Sequence, residues 1–242
     1  AVRTAAGAVM LWILVAGRKA DRPPVLTGKR MAGALALAIY MVGFSWAYIT
    51  LDAGLGALIL IGVLQVVVFG YAVLTGQDVP ALRWLGAIIA LIGLCGLLWP
   101  SGEATVPFVG ATAMVIAGAS WAIYILLGRT EADPLGSTAG NFLLCFPLVA
   151  VATLLSAQGA WSMGGLISAI VAGAITSGLG YALWYRLLPQ LPTTVGGIAQ
   201  LSVPMIAVAA GAALLGEALS ARLIIAGVLV LGGIAVSLII RR

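Results

Sequence analysis

The chain has 242 residues, of which 63% are hydrophobic and only 8% charged, with a formal net charge of +5, no histidine and two cysteines. An ordinary soluble domain carries about a quarter of its residues as charges, so this composition excludes one. The basic residues gather at the ends of apolar segments, where they read as membrane anchors and not as a nucleic-acid surface. Without histidine no Ser/His/Asp or Cys/His arrangement can be built, and no phosphate-binding Walker loop or metal-ligand cluster is present. Cys95 and Cys145 lie singly inside apolar runs, as small buried hydrophobes do. No catalytic residue, cofactor or metal is therefore expected.

Apolar runs divided by Gly, Pro, Asp and Ser predict about nine helices. In chain order they are Ala1–Ala16, Met31–Thr50, Gly54–Thr75, Leu82–Trp99, Val106–Leu127, Thr138–Ala157, Gly164–Leu187, Val195–Leu215 and Ala221–Ile240. Most approach the roughly 20 residues that cross a hydrocarbon core of about 30 Å. Runs such as Gly86–Leu98 lack the alternation of a β-barrel strand, and backbone groups in lipid must be satisfied within the segment, so the spans are helical. The apolar start lacks the n-region and cleavage site of a signal peptide, and residue 1 is read as a fragment edge.

Charge fixes an expected orientation. With the loop after the first helix in the cytoplasm, Arg18, Lys19, Arg22, Lys29, Arg30, Arg83, Arg129, Arg186, Arg241 and Arg242 all fall inside. Only Arg3 and Arg222 fall outside, which places the C-terminus in the cytoplasm. The acidic residues Asp21, Asp52, Asp78, Glu103, Glu131 and Asp133 are assigned to loops and Glu217 to an outer helix end, leaving no mid-membrane carboxylate for a proton relay.

Shifting the chain by 140 residues aligns Leu51 with Leu191, Gly56 with Gly196, Val63 with Val203 and Gly76 with Gly216. Helix order matches too: the first four pair with the sixth to ninth, and the fifth has no partner. A parent of two five-helix repeats follows, with its first helix outside this chain. Five is odd, so the repeats insert with opposite orientation, as in many transporters.

Several stretches carry a family resemblance: Leu183-Trp184-Tyr185-Arg186-Leu187-Leu188 followed by Leu191-Pro192-Thr193-Thr194, then Gln200-Leu201-Ser202-Val203-Pro204. Leu214-Leu215-Gly216-Glu217-Ala218-Leu219 and Ala119-Ser120-Trp121-Ala122-Ile123-Tyr124 complete the set. In this order and spacing the chain resembles the drug/metabolite transporter superfamily, of the EamA type. The resemblance implies an all-α membrane protein of ten helices, nine of them visible here, with residues 1–100 and 106–242 as the two repeats. It departs from the repeat pattern at Gly76-Gln77-Asp78 against Gly216-Glu217, and at Leu64 against Pro204. It further implies export of small metabolites, amino acids or related amphipathic compounds, from a bacterial-type inner membrane. An importer or a membrane subunit supporting a partner is the alternative. The partners implied are a small-molecule substrate and the lipid bilayer, with no nucleic acid, and a homodimer is compatible.

Candidate substrate-binding residues are Tyr40, Phe44, Gln65, Trp121, Tyr124, Tyr181, Trp184 and Gln200. Flat aromatic faces stack small organic molecules, and hydroxyls and amides orient them. Ser177, Tyr181, Trp184 and Tyr185 share one helix face by spacing, and Tyr40, Phe44, Ser45 and Tyr48 sit at comparable places in the first repeat. Aromatics also gather as interfacial belts, the reading given to Trp12, Trp84, Trp99 and Trp161 and open for Tyr48, Trp184 and Tyr185. Gln65, in mid-helix, must bond a neighbouring helix, water or substrate. Pro147 and Pro204 are expected to kink their helices.

Overall fold

A computed structural model describes residues 1–17, 27–51, 53–99, 107–155, 162–206, 209 and 221–239. Expectations placed on Arg18, Lys19, Asp21, Arg22, Asp52, Glu103, Trp161, Leu214–Leu219, Arg241 and Arg242 lie outside the described residues.

Helices α1 (Val2–Ala16), α2 (Gly28–Ala47), α3 (Ala53–Leu74), α4 (Ala81–Leu98), α5 (Phe108–Arg129) and α6 (Pro134–Leu155) come first. Then α7 (Met163–Val171) runs through a π-helical segment, Ala172–Leu179, into α8 (Gly180–Leu187). The short α9 (Thr193–Ala199) and α10 (Ala221–Leu238) follow. Among the described residues, seven helical stretches are long and apolar enough to cross a membrane, and Val2–Ala16 and Thr193–Ile206 are shorter apolar helices. Together they account for the nine expected segments. Val66, Ile92, Leu154, Leu183 and Ile225 are each more than half exposed, an apolar surface that suits lipid.

Helix starts are set by caps. Asp133 accepts from the Gly136 amide through its carboxylate, with Pro134 pre-set at the first helical position, so α6 begins four residues before the expected Thr138. Thr27 accepts from Arg30 N at 3.3 Å and moves the start of α2 ahead of Met31. The Ser162 hydroxyl accepts from Gly165 N at the start of α7.

The repeat is visible in the element bounds. Adding 140 to Ala81–Leu98 gives Ala221–Leu238, and adding it to Ala53 and Ala47 gives Thr193 and Leu187, the start of α9 and the end of α8. The chain divides into two compact units, residues 1–43 with 123–190 and residues 44–122 with 191–242. Each unit thus takes residues from both halves of the sequence.

In the first unit, α1 packs on α6 and on α7 with its π segment, and α8 packs on α6. Glycines permit the approach. A Cβ on Gly7 would stand 2.9 Å from the Phe142 ring, and one on Gly173 would strike the Arg3 carbonyl oxygen. In the second unit, α4 and α10 form the most extensive pairing, and α3 packs on α9. Gly86 faces Gly233, and a Cβ on Gly93 would stand 3.1 Å from the Ala226 carbonyl oxygen, so the numbering runs in opposite senses and the pair is antiparallel. Under the 140-residue shift Gly86 maps to Ala226 and Gly93 to Gly233, so the two contacts are images of each other. Arg222 closes the same pair, donating to the Gly96 and Trp99 carbonyls at the α4 C-terminus. That explains one of the two outside cations.

Candidate functional site

The first unit holds an aromatic cluster built on α5, α6 and α8. Tyr181 meets Phe142 edge-on at 5.2 Å between centroids, and Tyr124 meets Tyr185 edge-on at 5.3 Å. Tyr124 and Tyr181 face each other at 6.3 Å. Edge-to-face geometry is what ring quadrupoles prefer, so these contacts hold the rings rigidly. Tyr185 fits because Gly128 on α5 leaves room for its ring, and its hydroxyl donates to the Tyr124 carbonyl at 3.4 Å. It is 1% exposed, so the belt reading for Tyr185 gives way to burial in the bundle. The physical reason is the small residue opposite it, which sequence spacing on α8 does not display.

Polar groups line the same cluster. Asn141 on α6 is 4% exposed and packs against Gly33 of α2, while its Oδ1 has no hydrogen-bond partner among the described residues. The Tyr124 hydroxyl faces Asn141, Tyr185 and Thr138. Elsewhere in the unit, the indole N–H groups of Trp12 and Trp184 are buried without partners among the described residues. A buried donor or acceptor left unmade costs about 1–3 kcal/mol, so groups of this kind ordinarily take a water or another polar partner. Trp12, assigned to the interface by sequence, is half-buried with its polar edge inside.

Of the eight expected residues, the first unit therefore contains Tyr40, Tyr124, Tyr181 and Trp184, with Tyr40 and Tyr181 near enough to interact electrostatically. The second unit contains Phe44, Gln65, Trp121 and Gln200. Phe44 meets Tyr48 edge-on at 4.7 Å, and Trp121 is buried. Gln65 donates from Nε2 to the Gly197 carbonyl of α9 at 2.9 Å. The reason is a break in α9. Leu201 N turns to Ile198 O and Gln200 N to Gly197 O, so the ordinary i→i+4 donor to Gly197 is lost just ahead of Pro204, and Gln65 supplies another. Gln65 Oε1 remains buried without a partner among the described residues. Gln200 lies half-buried at the break.

Spacing did not reveal two features. The π segment inserts a wider turn, with i→i+5 bonds, into what reads as one regular helix. Such turns recur at functional sites. Arg3, counted outside by charge, is exposed but turns its Nε inward, donating to the Ser177 hydroxyl at 2.9 Å. Ser177 is fully buried within the π segment. The available signal was that Arg3 broke the charge distribution.

Apolar membrane-length helices in an inverted repeat, enclosing a polar and aromatic cluster, define a membrane transporter. Residues 108–239 match the EamA-like transporter family, more than half of the chain, and the chain belongs to that family. An uncharacterized protein of Pseudomonas aeruginosa is 44% identical over 240 residues, covering 98% of this chain and 82% of its own length. The threonine/homoserine exporter RhtA of Escherichia coli K12 is 27% identical over 161 residues, 64% of this chain and 54% of that one. RhtA of Salmonella typhimurium LT2 is 28% identical over 142 residues, 57% and 48%. The matched region spans about half the length of these exporters. A crystal structure 23% identical in sequence superposes with a TM-score of 0.83 over 98% of this chain and 86% of that one, so the fold is shared.

Proposed function

We propose that this transporter exports amino acids or related small amphipathic compounds across a bacterial-type inner membrane, by alternating access of two inverted repeats. The repeats are residues 1–100 and 106–242, and the C-terminus is cytoplasmic. The observation that carries the reading is the first unit's cluster, where Tyr124, Tyr181, Phe142 and Tyr185 pack together beside Asn141, whose buried Oδ1 has no partner among the described residues. Amphipathic cargo needs apolar faces for stacking and a few fixed polar groups for orientation. The relatives named as threonine/homoserine exporters support both the outward direction and the substrate class. The orientation is supported by ten Lys and Arg residues assigned to one side against two on the other. One of them, Lys29, also joins the helix ends there, pairing with Glu131 at 3.1 Å and donating to the Thr130 carbonyl.

Untargeted profiling of the medium from expressing cells tests the proposal, against a strain carrying Trp121→Ala with Trp184→Ala. One compound class enriched outside only with the intact protein supports export and names the cargo. Equal media at equal membrane levels of both proteins contradict it.

A further inference from the structure

We infer that Arg3 is an anchor for a substrate carboxylate, held in place by Ser177 of the π segment. The inference rests on the exporter reading above and narrows its cargo to small molecules bearing a free carboxylate.

Depth is the first argument. Ser177 lies fourteen residues after Met163 and thirteen before Gln190 in a 28-residue apolar stretch. At 1.5 Å per residue that is about 20 Å from either end. The Ser177 hydroxyl is therefore at mid-length of a membrane-length stretch, and Arg3 reaches it from the first turn of α1. Arg3 approaches so closely because Gly173 has no side chain where the Arg3 backbone passes.

Charge is the second. A cation within a membrane bundle, which costs about 2.5–3.5 kcal/mol at a helix centre on insertion scales, normally faces the bundle interior or water and pairs with an acid or a backbone carbonyl. Among the described residues Arg3 has no acidic partner. Its Nε is committed to a neutral hydroxyl, and the side chain is otherwise exposed. A guanidinium fixed through Nε presents its two Nη groups as a planar fork, the geometry that matches a carboxylate in bidentate fashion. The hydroxyl of Tyr181, a member of the aromatic cluster, lies near enough to Arg3 to interact electrostatically. Carboxylate and apolar body would thus be received in the same unit. The charge is also particular to one repeat, since Arg3 maps to Leu143 and Ser177 to Leu37 under the 140-residue shift. Packing alone would not require either polar group.

The test uses the purified protein in nanodiscs and in proteoliposomes, with a panel of common L-amino acids, each beside its carboxamide. Binding is read by thermal stabilisation and transport by counterflow. Wild type is expected to bind at least one acid and to reject its amide. Arg3→Gln should weaken that binding about 30-fold or more, and Arg3→Lys should retain part of it with poorer discrimination between acid and amide. Ser177→Ala, which releases the fork but keeps the charge, should weaken binding about 5-fold. If Arg3→Gln misfolds, Arg3→Lys and Ser177→Ala carry the test, and unaltered acid-over-amide preference in both overturns the inference. Binding of no panel acid by wild type, or equal binding of acid and amide, also overturns it. Acid binding lost in Arg3→Gln but without counterflow in wild type leaves the anchor standing and removes the exporter reading. Normal counterflow and selectivity in Arg3→Gln does the reverse.

Discussion

The α4–α10 pairing of the second unit and the cluster of the first show two uses of the same duplicated sequence. In the pairing, Gly86 and Gly93 face Gly233 and Ala226, positions that exchange under the 140-residue shift, and backbone lies against backbone. In the first unit the packing glycines are also images, Gly33 against α6 and Gly173 against α1, but what they admit differs. Gly33 receives the Asn141 side chain, and Gly173 the backbone of Arg3, whose side chain bonds Ser177. Symmetric positions close helices together, and the polar groups that cross between helices sit where the repeats differ. Gln65 follows the same rule, since its repeat counterpart is Met205.

Changes that break the symmetric pairing should have the largest effect. A side chain at Gly86 meets the Gly233 carbonyl oxygen, and forced overpacking costs about 1–3 kcal/mol or more. Gly86→Leu should abolish the folded peak in fluorescence-detected size exclusion. Gly62→Leu, where a Cβ meets nothing within 4 Å, should leave that peak unchanged. An equal loss in both would assign the effect to membrane insertion and not to the pairing.

In the first unit the effect should fall on function and spare the fold. Tyr181→Ala removes the ring that joins Phe142 to Tyr124. We expect flux reduced about tenfold or more, from loss of stacking and orientation in the site, at normal expression. Trp184→Phe keeps an aromatic side chain, though a smaller one, and removes the buried N–H. If that group orients cargo, binding should weaken by about 1 kcal/mol, several-fold in KM, without change in thermal stability. A rise in stability at constant KM would show that the N–H is only an unmet group.

The smallest effect is expected at Gln65. Gln65→Met restores the counterpart residue and removes both the bond to Gly197 and the unpartnered Oε1. Interhelical bonds in membranes average about 0.6 kcal/mol, so the melting temperature should change by no more than a few degrees and flux should stay near wild type. A large fall in flux would make Gln65 a cargo contact.

Much of this fold was legible because lipid simplifies the code. Apolar length gave nine segments, and breakers placed most of their ends within a few residues. The 140-residue offset proposed from scattered matches reappears in the bounds of α4 and α10. Helix starts shifted where a capping side chain acts ahead of the apolar run, as Asp133 does for α6. Site residues were less legible. Aromatic type and depth pointed to Tyr124 and Tyr181, but the burial of Tyr185 depends on Gly128 of another helix. The π segment has no side-chain spacing to announce it, because a wider turn is a matter of backbone bonding. Arg3 stands near the edge of an apolar run and reads as an outside charge, whereas its bond to Ser177 depends on the π segment beside it, which spacing does not display.

The most direct test is counterflow of labelled amino acids in proteoliposomes containing wild type, Tyr181→Ala or Gln65→Met, at matched folded protein. The account predicts saturable exchange for wild type and Gln65→Met, and little for Tyr181→Ala. Full exchange by Tyr181→Ala, with loss in Gln65→Met, would contradict it and move the cargo site to the second unit.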